Sequence, residues 1–168
     1  MLVVNLLDLE RGSVAVRGVI PAADPLWADS DAQLEAPLVV DLQAERVGAG
    51  VLVRGRVHTQ VHLECRRCLA PIHWPIDEEF DLFFEPLEGI EDPGDSYPLP
   101  TGTLELALDE PLREQLLLRI PPYALCRDDC RGLCPGCGVD RNTEPCRCPP
   151  PPLEAGPWAA LRALRFDL

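Results

Sequence analysis

Lysine is absent from this sequence, so all fifteen cationic side chains are arginine. Every positive group is therefore a planar fork suited to phosphate or carboxylate. Long apolar runs are missing too. None approaches the roughly 20 residues that a membrane-crossing helix needs, and the opening "MLVVNLLDLERGS" is broken by Asn5 and Asp8, with neither a basic flank nor a small-residue cleavage site. The expectation is a cytoplasmic protein, in a reducing compartment that argues against structural disulfides. Aromatic residues are scarce at 5%, which leaves few platforms on which single-stranded bases can stack. There is no internal repeat, no HExxH helix, no phosphate-cradling glycine loop and no Ser, His and Asp constellation. Enzyme chemistry has no visible carrier, and the expectation is a non-enzyme.

What remains is enough for a core. The chain has 168 residues, 46% of them hydrophobic, which suits one ordinary domain with a small appended module. The net charge of −13 is unevenly spread: residues 76 to 110 carry twelve acids and no Arg, whereas residues 51 to 75 carry Arg54, Arg56, Arg66 and Arg67 against Glu64 alone.

The clearest element is "VLVRGRVHTQVHLE", residues 51 to 64. Val51, Val53, Val57, Val61 and Leu63 fall on one face and Arg54, Arg56, His58, Gln60 and His62 on the other, the period of a half-buried strand with a basic outer face. The preceding "LVVDLQAE" alternates in the same way, and "GAG" at 48 to 50 makes the turn. A two-residue loop at Ala49-Gly50 aligns the apolar faces and sets Glu45 opposite Arg54 and Asp41 opposite His58. A third strand is expected at 72 to 84, with Ile72, Trp74, Ile76, Phe80, Leu82 and Phe84 on one face and Pro75 marking an edge or bulge. That puts "CRRCLAP" at a hairpin tip. "GSVAVRGVI" at 12 to 20 reads as another strand, and "EPLEGIEDPGDSYPLP" at 85 to 100 as a mobile acidic loop. "TLELAL" reads as a short strand. "DEPLREQLLLRI" reads as a helix near 109 to 120, with Asp109 as N-cap, Pro111 in the first turn, and Leu112, Leu116 and Ile120 along one side. After the cysteine segment, prolines 149 to 152 form a stiff spacer before a short helix in "PWAALRALRF".

Six of the eight cysteines lie in "CRDDCRGLCPGCGVDRNTEPCRC", residues 126 to 148, and two in "ECRRCL". Two thiolates separated by two residues can grip one zinc ion because the tight turn between them aims both sulfurs inward. "CPGCG" has this form, with Gly136 and Gly138 supplying permissive backbone. "CRRC" shares the spacing without the glycines. Eight thiols divide into two sets of four: Cys65, Cys68, Cys126 and Cys130 for one ion, and Cys134, Cys137, Cys146 and Cys148 for the second. Exchanging Cys130 with Cys146 is the competing arrangement. All-cysteine sites are closed and structural, with no position left for a catalytic water. Of the histidines, His58 and His62 read as solvated or hydrogen-bonded surface, and His73 as a spare ligand that could replace a cysteine.

The ordered combination of "ECRRCLAPI", the acidic strand "DEEFDLFF", "LDEPLREQLLLRIPPYALC", "DDCRGLCPGCGVDRNTEPC" and the closing "PWAALRALRF" resembles the YceD family, bacterial and plastid proteins associated with accumulation of large-subunit ribosomal RNA. The likeness runs from about residue 38 to the C-terminal segment and falls in the family's cysteine-rich branch. The other branch keeps the first CxxC and loses most of the later cluster, which supports treating the two metal sites as separable. The resemblance implies a non-enzymatic role in making or protecting 23S ribosomal RNA in the bacterial cytoplasm, on a large-subunit precursor. Two modes of action are open. In one, Arg54, Arg56, Arg66 and Arg67 meet RNA phosphates. In the other, the acidic stretch 77 to 110 holds a basic partner such as a ribosomal protein. The expected fold class is α+β. Residues 1 to 125 would form a bent or barrel-like antiparallel sheet with a packed helix, 126 to 148 a zinc-binding segment, and 149 to 168 the spacer and closing helix.

Overall fold

A computed structural model of the chain describes residues 1–28, 30, 32–86, 94–99, 101–102 and 104–149. Their order is β1 (Val3–Asn5), β2 (Val14–Ile20), β3 (Gln33–Leu34), β4 (Leu38–Val47), β5 (Gly50–Glu64), β6 (Pro71–Glu85), β7 (Tyr97–Pro98), β8 (Glu105–Ala107) and α1 (Asp109–Arg119). The class is the expected α+β, mostly sheet with one helix among the described residues. The main sheet is open, in the order β2-β4-β5-β6-β7 with β3 beside β5, and β1 pairs with β8 in a separate two-stranded ribbon. The proline spacer beyond Pro149, the closing helix, and residues 87–93 of the acidic loop lie outside the described residues.

β5 follows its alternation closely. Val51, Val53, Val57, Thr59 and Val61 are buried, while Arg54, Arg56 and His58 are exposed. Thr59 is the polar exception on the inner face, and its hydroxyl donates to the Ala36 carbonyl at 2.8 Å. The β4–β5 register differs from the expected one by two residues. Val47 pairs with Gly50, Asp41 lies opposite Arg56, and Val39 lies opposite His58. Both registers keep the apolar faces aligned, so the turn decides. The loop is Gly48-Ala49, and the left-handed φ of 61° falls on Gly48 at its first position, where a hairpin turn of the primed kind favours glycine. Glu45 still reaches Arg54 diagonally, at 3.1 Å. In mid-strand, Gly55 has φ 151°, and a Cβ there would run into the Asp41 carbonyl.

β6 pairs with β5 along its whole length, with Glu64 opposite Pro71 at the tip and Val51 opposite Phe84 at the base. Ile76, Phe80, Leu82 and Phe84 are buried, but Trp74, across from the buried Val61, is 37% exposed. The loop expected at 85 to 100 contributes β7, which joins β6 in parallel. Tyr97 packs its ring 5.5 Å from Phe84 and accepts a hydrogen bond from Gln115 on its hydroxyl.

The helix packs as expected through Leu112 and Leu116, both fully buried. Its start differs. Leu108 is the N-cap, and the Asp109 carboxylate accepts a hydrogen bond from the Leu2 amide at 2.9 Å instead of capping its own helix. This bond fastens the N-terminal strand to the helix start. Ile120, before Pro121-Pro122, is extended, as the residue before a proline must be. Arg119 from the last turn lies 4.3 Å over the Phe80 ring. One apolar cluster joins both sheets and the helix, and a second, separate one holds Cys65, Cys68 and Cys130 with Ile72, Leu125 and Leu133. No helix among the described residues is long and apolar enough to cross a membrane.

Candidate metal centre

The long β5–β6 hairpin carries the first CxxC at its tip, away from the main core. Cys65 N–H donates to the Ala70 carbonyl and Leu69 N–H to the Cys65 carbonyl, both at 2.9 Å, closing a tight turn in which Leu69 takes a left-handed φ of 61°. The chain that leaves α1 then comes back over this tip. Arg66 N–H donates to Ala124 O at 3.0 Å and Leu133 N–H to Arg67 O at 2.8 Å. Gly132, with φ 69°, allows this approach, because a Cβ there would lie 2.8 Å from the Arg67 carbonyl oxygen. The result brings Cys126 and Cys130 to the hairpin pair.

All eight cysteines are free thiols, and their sulfurs gather in two fours: Cys65, Cys68, Cys126 and Cys130, and Cys134, Cys137, Cys146 and Cys148. Within each four every sulfur lies within 4.8 Å of the others. Cys65 and Cys130 are 3.8 Å apart and Cys68 and Cys126 3.6 Å. In the second four, Cys137–Cys146 is 3.8 Å, Cys134–Cys148 is 4.0 Å and Cys134–Cys146 is 3.2 Å. A tetrahedral ion with metal–sulfur bonds of about 2.3 Å has sulfurs at its corners about 3.8 Å apart, so the donors fit one ion per four. Each four can hold a metal ion. The grouping of the sulfurs follows the sequence spacing, with Cys130 on the hairpin side and Cys146 beside Cys134.

The second four is built locally. Cys134 N–H donates to Val139 O at 2.8 Å and Gly138 N–H to Cys134 O at 2.9 Å, with Gly138 at φ 74°. The Gly136 amide lies 3.4 Å from the Cys134 sulfur, and a side chain on Gly136 would press on Cys148. Asp140 then organises the loop toward Cys146, its carboxylate accepting from the Asn142 amide at 2.9 Å.

Thiol acidities are split within each four. Burial works to raise Cys65, but the N–H groups of Cys126, Arg67 and Cys68 outweigh it and bring it down to about 6. The neighbouring Cys146 thiol, then the Cys137 and Gly136 amides, bring Cys134 to about 6. Burial first, and the surrounding thiols after it, push Cys126 up to about 12. The Cys137, Cys146 and Cys134 thiols do the same for Cys148. Each four thus combines thiols held below their usual acidity range with thiols pushed above it, and a metal ion would draw the protons from the latter.

The arginines proposed for RNA fall into two pairs. Arg54 and Arg56 stand on the outer face of β5, 58% and 63% exposed, and pair with Glu45 at 3.1 Å and Asp77 at 3.5 Å. Asp41, expected to pair within this patch, is taken by Arg17 at 3.0 Å. Arg66 and Arg67 instead hold the cysteine segment: Arg66 Nε donates to Pro122 O at 3.0 Å, and Arg67 Nη1 to Cys130 O at 2.9 Å and Asp128 O at 3.3 Å. Asn142 carries no signal in the cysteine spacing. It belongs to the loop of the second four, yet its Nδ2 lies 3.4 Å from the Cys130 sulfur of the first, and its Oδ1 accepts from Arg131 N–H and Arg127 Nη2. Against the burial that raises Cys130, the Asn142 amide and the Gly132 N–H hold that thiol below its usual value.

Residues 53–165 match the family described as Large ribosomal RNA subunit accumulation protein YceD. An uncharacterized protein of Mycobacterium tuberculosis is 35% identical over 112 residues, which is 66% of this chain and 54% of that protein. An uncharacterized protein of Mycobacterium leprae is 31% identical over 114 residues, 66% of this chain and 52% of that protein. A maize protein named Large ribosomal RNA subunit accumulation protein YCED homolog 1, chloroplastic, is 26% identical over 149 residues, covering 71% and 51%. The chain spans about half the length of these curated relatives. No solved structure matches.

Proposed function

The chain belongs to the YceD family, and from that premise we propose that it is a non-enzymatic cytoplasmic factor in 23S ribosomal RNA accumulation that binds a large-subunit precursor, with structural zinc in both cysteine fours. The observation that carries the zinc part is the pair of four-sulfur clusters, in each of which every sulfur lies within 4.8 Å of the others. Soft thiolates select zinc over hard cations, and four protein ligands leave no position for a substrate or water. The metal's work is then to pin residues 126 to 148 onto the hairpin tip, where the separate small apolar cluster is too slight to hold them.

Arg54 and Arg56 are the best-placed phosphate contacts. Exposed ion pairs such as theirs contribute at most about 1 kcal/mol, so a phosphate can displace the carboxylates. Arg66 and Arg67 combine two roles: a guanidinium carries five donors, and the carbonyls engage Nε of one and Nη1 of the other. The experiment is association of zinc-loaded protein with isolated large-subunit precursors at increasing salt. About four phosphate contacts give a slope of log K against log salt of about −3 to −4, and Arg54→Ala with Arg56→Ala should roughly halve it. Absence of any association, or a slope that the double variant leaves unchanged, contradicts this mode.

A second mode, an adaptor for a basic ribosomal protein, draws on the exposure of Asp77, Glu78, Glu79 and Asp81 along β6. There, neutralising these acids and not the arginines should abolish capture of the basic partner.

A further inference from the structure

His58 is exposed and His62 is hydrogen-bonded to Glu35, in keeping with the surface reading of both. His73 does not join the cysteines. The β5–β6 register sets it directly across from His62. On the other side of β5, β3 pairs Gln33 with His62 and Leu34 with Val61, and the chain leaving β3 anchors Glu35 through its N–H to Gln60 O at 2.8 Å. Two strands and the bend that follows β3 thereby aim one carboxylate and two imidazoles at a common point. Glu35 Oε1 is 3.2 Å from His62 Nδ1, both Glu35 oxygens are 2.8 Å from His73 Nδ1, and all three donor groups lie within 4.8 Å of one another. Gln60 Nε2 donates to Glu35 Oε2 at 3.1 Å and fixes the carboxylate. The imidazole rings stand edge to face, 71° apart, so neither blocks the other's approach.

We propose that Glu35, His62 and His73 form a third metal site, open and of different chemistry from the cysteine fours, that takes a borderline divalent ion such as nickel, zinc, cobalt or copper. Two imidazoles and a carboxylate are donors these ions accept, whereas thiolate-only sites favour the softest of them. Bonds of about 2.0–2.2 Å to nitrogen and oxygen put neighbouring donors about 3.0–3.4 Å apart, so the side chains need to open by only a few tenths of an ångström. On binding, each ligating imidazole is neutral and carries its proton on the far nitrogen, and the carboxylate is already ionised. Three protein donors leave coordination positions over. His73 is 64% exposed, and His62 also lines a cavity of about 300 Å³ with Gln33, Glu64 and Arg66, so water or an oxygen ligand has room beside the cluster.

The test uses the full chain with its cysteine-bound zinc in place. Nickel chloride is titrated in by calorimetry, while released zinc is followed with a chromogenic chelator. The expected result is one additional equivalent without zinc release, weakened about tenfold or more in Glu35→Gln and lost in His62→Ala/His73→Ala. His58→Ala, on the same face but outside the cluster, should bind like the parent. His73→Ala alone guards against misfolding, since that side chain is mostly exposed. No additional equivalent, an equivalent that displaces zinc, or one that survives in the double histidine variant would each overturn the proposal.

Discussion

Asn142→Ala isolates a coupling between the two cysteine fours that only the folded chain reveals. The side chain makes four contacts: Nδ2 to the Cys130 sulfur at 3.4 Å and to Asp140 Oδ1 at 2.6 Å, and Oδ1 to Arg131 N–H at 2.8 Å and Arg127 Nη2 at 2.9 Å. Of these, only the contact with Cys130 gains strength when the sulfur becomes a metal-bound thiolate, since a hydrogen bond to an ionised acceptor is the stronger kind. The two contacts to Oδ1 lie at an exposed surface where water can substitute. The loss therefore falls on metal affinity at the first four, by about 10- to 100-fold, the usual effect of removing a group that supports a ligand. Asn142→Asp keeps the acceptor for the arginines but sets a carboxylate beside the sulfur, and should weaken the site at least as much. The assay is chelator competition, with alkylation and mass spectrometry identifying which cysteines are freed at each step. In the variants Cys65, Cys68, Cys126 and Cys130 should become reactive at lower chelator concentration while the other four hold. Equal weakening of both fours, or of neither, refutes the coupling.

Gly132→Ala should lower the melting temperature by at least about 3 °C: a left-handed residue costs about 1–2 kcal/mol without glycine, a domain of this size loses about 2–4 °C per kcal/mol, and the new Cβ would also press on Arg67 O. Phe80→Ala, removing a ring buried beneath Arg119 at the centre of the main core, should cost about 3–5 kcal/mol, read as a fall of roughly 10 °C by calorimetry, without changing zinc content. Because the cysteine segment and the main core are separate clusters, metal removal should expose Arg131 and Arg141 to trypsin while Arg54 and Arg56 in β5 stay uncut. Simultaneous loss of both regions would show that the segment and the sheet form one cooperative unit.

Legibility in the sequence followed the range of the interaction. β5 declared itself through a two-residue period because its inner face is buried along most of its length. Its register with β4 did not, since a slip of two residues keeps every side chain on its own face and only the φ of Gly48 separates the alternatives. Asp109 has the chemistry of a cap, and nothing nearby reveals that its partner is Leu2, 107 residues away. β1, β3 and β7 have two or three residues each and pair with distant strands, too short to show any period. A tight turn places the two sulfurs of each CxxC by local geometry, whereas Cys126 and Cys130 reach the hairpin pair only because the chain after α1 returns over the tip. Glu35 comes from the bend after β3, and His62 and His73 from β5 and β6, and no local motif joins them. They become neighbours only through the β3–β5 and β5–β6 registers.

The central claim is that the two cysteine fours hold structural zinc, and elemental mass spectrometry of protein purified without chelator, run beside a free-thiol count, tests it most directly. Two tightly held zinc ions per chain are predicted, with one lost in Cys65→Ser/Cys68→Ser and the other in Cys134→Ser/Cys137→Ser, and with all eight thiols recovered reduced once the metal is withdrawn. Protein without metal, its cysteines oxidised in pairs, would contradict the account.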